Sequence, residues 1–579
     1  LVPESVSQAS TMPVAHRALY SYFDSVMEPW DGPAALCATD GRWVLAGLDR
    51  NGLRPLRYTI TEDGLLIVGS EAGMVPLPEA RVRRKGRVGP GQTIAVDLKK
   101  GRFFTDRELK DRLAAEQPYG EWVKAITPLA QIVGEVRQQV AFEPAELRRR
   151  KLLAGLTLEE LELILHPMVE DAKEATGSMG DDTPLAVLSE GHRGLHHFFR
   201  QQFSQVTNPP IDSLRERRGM TLKTRLGNLG NVLDEDASQT RILLLESPLL
   251  TNAEFLALRG KLGPAATIID CAFALDDGAD ALKRAIQRIR REAEDAVRGG
   301  SAYLILTDAG IGPDRAPMPM ILAAGGVHSH LVREGLRTFT SLNVRAAECL
   351  DVHYFAVLVG VGATTVNAYL AEECIAERQR RGLFGELGLD ACIARFRQAA
   401  ENGILKVMSK MGISVISSYR GGYNFEAVGL SRALVADLFP GMPSRISGIG
   451  LAGIEKNLRE LHERAFDGDV VALPVGGLYR FRAGGETHAL DGNLIHLLQT
   501  AVATESYSLF KTYSAGLAAL PPITLRDLLD FKPKAPPVPI EAVASIPEMR
   551  RRFVTPGISL GALRPEAHET LALALTRIG

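Results

Sequence analysis

Between residues 241 and 380 the chain alternates short apolar runs with helix-period segments, and this rhythm constrains the fold most. RILLLE and TIIDCAFAL read as buried strands. ALKRAIQRIRREAEDAVRGG reads as a helix, because Leu282, Ala285, Ile286, Ile289, Ala293 and Val297 fall on one face and Gly299-Gly300 ends it. SAYLILTDAGIG, a helix around HSHLVREGL, and HYFAVLVGVGA read as a further strand, helix and strand. Strands alternating with helices imply βαβ units and a parallel sheet, which binds ligands beyond the carboxyl ends of its strands.

The flanking segments differ in character. From 34 to about 105, Asp40-Gly41, Asp63-Gly64 and Lys100-Gly101 each sit between apolar runs, the signal of hairpins in an antiparallel meander. From about 106 to 240 the pattern is helical. Thr157 and Glu160 form a capping box ahead of an apolar run, and HRGLHHFFRQQFSQV reads as an amphipathic helix ending before NPP. PKAPPVPIEAV at 533–543 reads as an extended connector. The last stretch, RRFVTPGISLGALRPEAHETLALALTRIG, reads as a strand over 551–555, a glycine loop, and a helix from Pro565 with Leu571, Ala574, Leu575 and Ile578 on one face.

A chain of 579 residues has room for three or four domains at roughly 150 residues each. Its net charge of −2 gives no overall basic excess to attract nucleic acid or an anionic membrane. The basic runs RVRRKGR and LRRRK read as solvated faces or turns. Five scattered cysteines, without CxxC or finger spacing, fit a reduced cytoplasmic protein. No run reaches the roughly 18 apolar residues of a membrane span.

Individual sites are sparse. His192, His196 and His197 approach helical metal-pair spacing, but no HExxH glutamate accompanies them, so they read as surface or capping histidines. His328, His330 and His353 read as packed or hydrogen-bonded. There is no Walker A motif, no GxSxG elbow, and no cysteine in a setting that would mark a thiolate nucleophile. Neither a catalytic constellation nor a metal site is expected. The PGISLG loop is the better candidate: Gly557 permits close approach to a flat or anionic ligand, Ile558 lies between, and Ser559 offers a hydroxyl.

Several long stretches, in order along the chain, resemble the large subunit of bacterial glutamate synthase. MEPWDGPAAL, GLDRNGLRPLRY and GSEAGM are similar to the last part of its glutamine amidotransferase domain. EATGSMGDDTPLAVLS, QVTNPPIDSLRE, GGVHSHLVREGLR and VGVGATTVNAYLAEE resemble its central domain. KMGISVISSYRGGYNFEAVGLS and FPGMPSRISGIGL resemble the stretch leading to its synthase domain, and RFVTPGISLGALRPEAHETLALALTRIG the first strand and helix of its FMN-binding barrel.

The resemblance implies a multidomain α/β protein. Residues 1–110 would be the end of an N-terminal-nucleophile hydrolase αββα domain, and 111–475 a central flavin-domain-like α/β domain without flavin. Residues 476–579 would start an FMN-binding (β/α)8 barrel. It implies an enzyme that moves the amide nitrogen of glutamine, as ammonia through a closed passage, to 2-oxoglutarate, and reduces the imine through FMN. This segment would link the two sites. The nucleophilic cysteine and its oxyanion element would precede Leu1. The [3Fe-4S] cysteines would follow Gly579, so none of the five cysteines here is a ligand and the chain alone should not hydrolyse glutamine.

Gly557, Ile558 and Ser559 are the expected FMN contacts, although the family usually has Met at Ile558 and often Ser at Arg564. A small FAD/NADPH-dependent subunit or ferredoxin would donate electrons, and the protein would be an oligomer in the cytoplasm, binding neither nucleic acid nor membrane. The other reading is a non-catalytic scaffold that retains the central domain for subunit contacts.

Overall fold

The computed structural model describes residues 11–27, 29–30, 32–50, 52–134, 138, 142–177, 181–203, 211, 219–554, 556–559 and 561–578. They fall into two compact units, Leu1–Ile523 and Thr524–Gly579.

Near the amino terminus all three hairpins form where the glycines stand. Ala35–Thr39 pairs with Trp43–Leu48, Arg57–Thr61 with Leu66–Gly69, and Thr93–Asp97 with Arg102–Phe104, all antiparallel. At the first turn Asp40 accepts backbone N–H bonds from Arg42 (2.8 Å) and Trp43 (2.6 Å), while Gly41 takes φ +89°. The strands do not make one meander, however. Thr93–Asp97 returns beside Trp43–Leu48, and Arg57–Thr61 lies between Leu66–Gly69 and Val82–Arg87, giving two sheets. Ala46, Leu48, Leu56, Tyr58, Val88 and Ile94 from both sheets share one buried cluster. RVRRKGR is the edge strand Val82–Arg87 with Arg81–Asp63 and Lys85–Glu79 ion pairs, in line with a solvated face. LRRRK is solvated only in part, with Arg148 exposed and Leu147 and Lys151 buried. It lies in helix Pro144–Leu153, where Lys151 is buried and pairs with Glu377, and Arg150 pairs with Glu146 at 2.8 Å.

The central region carries the expected parallel sheet, with strands in chain order: Ala266–Asp270, Tyr303–Thr307, Ser341–Arg345 and Thr365–Asn367. Helices Ala281–Arg298, Met320–Arg333 and Val352–Gly360 fill the three connections. Parallel strands are buried on both faces, so their connecting helices must supply apolar cover. On the first helix Leu282, Ala285, Ile286, Ile289, Ala293 and Val297 are all buried, as their spacing predicts.

Three expectations fail here. RILLLE contributes strand Leu243–Leu245, but to a separate sheet with Thr224–Leu226 and Thr127–Pro128. Within CAFAL, Ala272–Ala274 pairs antiparallel with Arg315–Pro317 instead of extending the main sheet. HYFAVLVG is a helix, not a strand: Asp351 caps it by accepting from Tyr354 N at 2.7 Å, and the β-branched residues that suggested a strand are buried all round it.

HRGLHHFFRQQ is likewise no helix. It is a 3-10 turn, Leu195–Phe198, followed by strand Phe199–Gln201 and the irregular residues 202–203, and residues 204–206 of the expected helix lie outside the described residues. The Thr157 capping box forms, with Thr157 N donating to Glu160 at 2.6 Å and Glu160 N to Thr157 Oγ1 at 3.4 Å. It opens a helix with a π-helical stretch over Glu160–Leu165. No helix among the described residues is long and apolar enough to cross a membrane.

In the second unit, helix Pro565–Ile578 forms where read. Residues 551–554 are a turn and irregular chain, not a strand, since no described segment pairs with them, and residue 555 lies outside the described residues. PKAPPVPI is irregular and exposed, as a proline-rich connector should be.

Truncating Ile289 to Ala should lower stability by about 2–5 kcal/mol, because the residue is fully buried and its cavity cannot refill from the helix. Arg291→Ala on the exposed face of the same helix should stay within about 0.5 kcal/mol. Urea unfolding of the two variants checks the assignment of faces.

Candidate functional site

The best-formed cavity of the first unit, about 270 Å³, lies beneath the glycine-rich segment Gly476–Glu486. Glu159, one residue before the π-helical stretch, holds that segment down. Its buried carboxylate accepts the backbone N–H groups of Leu478 (2.5 Å), Tyr479 (3.2 Å) and Arg480 (2.9 Å). An ionised carboxylate surrounded by backbone donors is satisfied without a cation, and such bonds are stronger than neutral ones. Further along, Glu486 accepts from Ser189 Oγ (2.6 Å) and Arg193 (3.2 Å). His488 closes the segment, with Nδ1 2.9 Å from Asp182 and Nε2 2.7 Å from the Gly477 carbonyl. The chain crosses itself tightly: a Cβ on Gly485 would stand 2.5 Å from the Gly476 carbonyl, and Gly476 itself has φ +84°.

The walls are rich in acids. Burial pushes the Glu348 and Glu160 carboxyls up to about 7, and Glu348 hydrogen-bonds the buried Tyr354 hydroxyl. Burial holds His196 down to about 4 although Asp351 opposes it, so the imidazole is neutral near pH 7. Its Nδ1 has no hydrogen-bond partner among the described residues. The chamber thus gathers carboxyls whose pKa burial raises beside a neutral imidazole, and no cysteine stands among its described lining residues. Cys349, the cysteine beside Glu348, is buried, with its thiol held well above the usual range by burial. Cys271, Cys374 and Cys392 are also buried, and burial raises each of them.

His192 and His197, read with His196 as surface or capping histidines, line the same cavity, whereas three further histidines are held by hydrogen bonds or an ion pair. His353 Nε2 donates toward the His196 (3.1 Å) and Phe199 (2.9 Å) carbonyls, and His328 Nδ1 accepts from Arg337 Nε at 2.9 Å. His330 lies 2.8 Å from Glu294. Glu294, His330 and Glu334 are close enough to hold a cation, but the Arg298 guanidinium already pairs with both carboxylates at 2.8 and 3.5 Å.

The amino-terminal region is joined to the central one by polar contacts, from buried to exposed. The Tyr22 hydroxyl donates to Gln239 Oε1 (2.6 Å) and accepts from Asp236 N (2.8 Å). Tyr119 bonds Glu235, Asp24 pairs with Arg225, and Arg50 donates to Ser414 Oγ at 2.8 Å.

In the second unit, Gly557 and Ser559 are exposed, and a Cβ placed on Gly557 would meet nothing within 4 Å. The Ile558 carbonyl accepts from His568 Nε2 at 3.1 Å. The residues that build the chamber were missed by motif reading. Their traces were the Thr157 capping box, which placed Glu159 and Glu160 at a helix start, and the glycine pairs 476–477 and 484–485.

The pair Asp182–His488 should make the Gly476–Leu490 segment sensitive to pH. Burial lowers the His488 pKa, but the Gly477 carbonyl and Asp182 outweigh it and the net shift is upward. Burial raises the Asp182 carboxyl, but the Leu490 N–H and His488 outweigh it and the net shift is downward. His488 thus contributes fully below its ordinary 6.5 and loses its contribution as pH rises through the raised value. Asp182 contributes above its ordinary 3.8 and loses its contribution as pH falls through the lowered one. Stability should fall as pH rises above 6.5 in the parent and fall less in His488→Gln, measured by urea midpoints at each pH.

Three family models match the chain. Glutamine amidotransferases class-II covers residues 1–122, the glutamate synthase central domain 149–431, and the conserved region in glutamate synthase 488–579. The glutamate synthase [NADPH] large chain of Azospirillum brasilense is 62% identical over 582 residues, covering 100% of this chain and 38% of that protein. Ferredoxin-dependent glutamate synthase 2 of Synechocystis is 40% identical over 97% of this chain and 37% of its own length. The large chain of Bacillus subtilis is 38% identical over 100% of this chain and 38% of its own. The chain thus spans a little over a third of the length of the relatives it matches. Flavocytochrome b2 with pyruvate bound aligns at 12% identity and a TM-score of 0.26 over 49% of this chain and 91% of that one, too weak a likeness to bear on the fold. Matched along its whole length and in the same order of regions, this multidomain α/β chain belongs to the glutamate synthase family as a homologue of the large chain.

Proposed function

We propose that the chain works as part of a glutamate synthase, in which glutamine amide nitrogen reaches 2-oxoglutarate as ammonia and the imine is reduced to glutamate. The 62% identity over the whole chain to an NADPH-type large chain carries this reading. Residues 1–110 are then the end of an N-terminal-nucleophile amidotransferase domain, and the two antiparallel sheets sharing one core support that. Residues 111–475 are the flavin-domain-like spacer without flavin, and 476–579 open the FMN barrel. The polar contacts of Tyr22, Tyr119 and Arg50 suit a segment that links a glutaminase to a synthase, because they fix one region on the other.

The loop at Gly557–Ser559 fits an FMN contact. Gly557 has open space where a side chain would stand, Ser559 is exposed, and His568 steadies the loop through the Ile558 carbonyl. FMN supplies hydride chemistry when bound. The role of this loop is to let a flat ring approach and to offer it a hydroxyl. The five cysteines are spread along the chain without clustered spacing, which supports the reading that a [3Fe-4S] cluster draws its ligands from elsewhere. A small FAD/NADPH-dependent subunit or ferredoxin supplies the electrons, and the enzyme is a cytoplasmic oligomer.

The reading is tested on the protein encoded by the whole reading frame, supplied in turn with reduced ferredoxin and with NADPH plus a small FAD-containing subunit as electron donor. Glutamine-dependent conversion of 2-oxoglutarate to glutamate with one of these donors is expected, and its absence with both from an FMN-loaded preparation overturns the proposal. For the loop, Gly557→Val should reduce flavin content and glutamate formation at least tenfold while leaving part of the glutamine hydrolysis. Full FMN occupancy with unchanged turnover refutes its role.

A further inference from the structure

Between helices Leu451–Phe466 and Gly492–Ala503 the chain forms no helix or strand, and residues from Pro474 to Thr487 within this stretch wall the chamber. Connections this long without secondary structure are uncommon and usually serve a site. The middle of the stretch closes on itself. Glu486 N donates to the Gly476 carbonyl at 3.1 Å, Gly485 N to the Arg482 carbonyl at 3.0 Å, and His488 Nε2 to the Gly477 carbonyl at 2.7 Å. The two ends of Gly476–Glu486 therefore meet, as in a compact Ω-loop that keeps its shape by its own bonds.

Apolar burial does little to hold this loop down. Tyr479 and Phe481 are 44% and 48% exposed, Ala483 is exposed, and Leu478 is only half-buried. From Gly477 to Gly485 the described bonds to the rest of the molecule run to two carboxylates. Glu159 takes the N–H groups of Leu478, Tyr479 and Arg480, and Glu162 pairs with Arg482 at 3.0 Å. The second of these is open to solvent and holds weakly. Glu159 is 1% exposed and its bonds are charge-assisted, so it is the main fastening. The ends, by contrast, stay anchored: Glu486 bonds Ser189 and Arg193, and His488 bonds Asp182. At those ends Gly476, Gly477 and Gly484 take φ of +84°, +87° and +74°. A segment with so few buried apolar contacts opens locally at a free energy well below that of global unfolding.

We propose that Gly477–Gly485 is a lid over the chamber, hinged at the two glycine pairs and latched by Glu159. When the latch lets go, the stretch lifts as one piece and gives solutes a path to His196 and Glu348, which line the cavity with it. Access to the chamber is then a controlled step, set by a single carboxylate.

The test is hydrogen exchange of the 579-residue chain at one pH and temperature, read by mass. Peptides spanning 474–487 are compared with peptides from strands Tyr303–Thr307 and Ser341–Arg345. The amides of Leu478, Tyr479 and Arg480 should exchange roughly a hundredfold faster than those of the strands, because the lid opens while the sheet stays shut. Glu159→Gln keeps the shape of the latch but not its charge, and should speed lid exchange about tenfold with the strands unchanged. Gly484→Ala is the second variant. Its Cβ meets nothing within 4 Å, yet the φ of +74° strains the closed lid alone, so it too should speed lid exchange, even if Glu159→Gln loosens more than the lid. Access is read separately, by diethyl pyrocarbonate modification of His196, which should quicken in step with lid exchange. Lid amides as protected as the strands, exchange unchanged in both variants, or faster lid exchange with no change at His196 overturns the proposal.

Discussion

Parallel strands have no face to spare for water, and the rest of the central region follows from that constraint. Each strand from Ala266–Asp270 to Thr365–Asn367 needs cover above and below, so the connections are helices with apolar sides. Helices packed between other helices must themselves be apolar over more of their surface. Met320–Val327 on one helix and Val352–Gly360 on the next are accordingly buried almost without interruption. Among the polar groups that enter this core, Asn343 is paired: it donates to the Leu304 carbonyl at 3.0 Å and accepts from Thr365 Oγ1 at 2.6 Å. Each strand thus positions the next, and the helix N-terminus at Asp351 brings acid to the edge of the chamber.

Charge, not apolar area, fixes the segment that roofs the chamber. Gly476–Glu486 offers few large apolar side chains, and it is held by a carboxylate from below and by an ion pair and an imidazole at its far end. Such a roof is geometrically strict, because backbone N–H groups must point at one carboxylate. It is also sensitive to pH at its far end, where His488 and Asp182 hold each other's charged forms.

Amphipathic elements were readable from the residues, and uniformly apolar ones were not. The helix Ala281–Arg298 announced itself because six buried positions alternate with charged ones. HYFAVLVG offered no polar face to set a period, and its β-branched residues argued for a strand. Only Asp351 ahead of it gave a capping signal. The hairpins were legible from Asp-Gly and Lys-Gly, but their division into two sheets depends on which strand returns beside which, information no local stretch carries. His196 joins Glu348 and Tyr354 across more than 150 positions, so its surroundings could not be read from its neighbours. The family resemblance, carried by long ordered motifs, identified the family where single-residue chemistry was silent.

The distribution of thiols gives the chain an internal reporter. Cys37 stands exposed on a short strand, while Cys271, Cys349, Cys374 and Cys392 are sealed within the central region. A thiol-specific reagent meets one sulfur in the folded state, and the other four only when the sheet and its helices part. Alkylation beyond the first equivalent, followed in time, is then a clock for opening of the central core, readable by mass without any substitution.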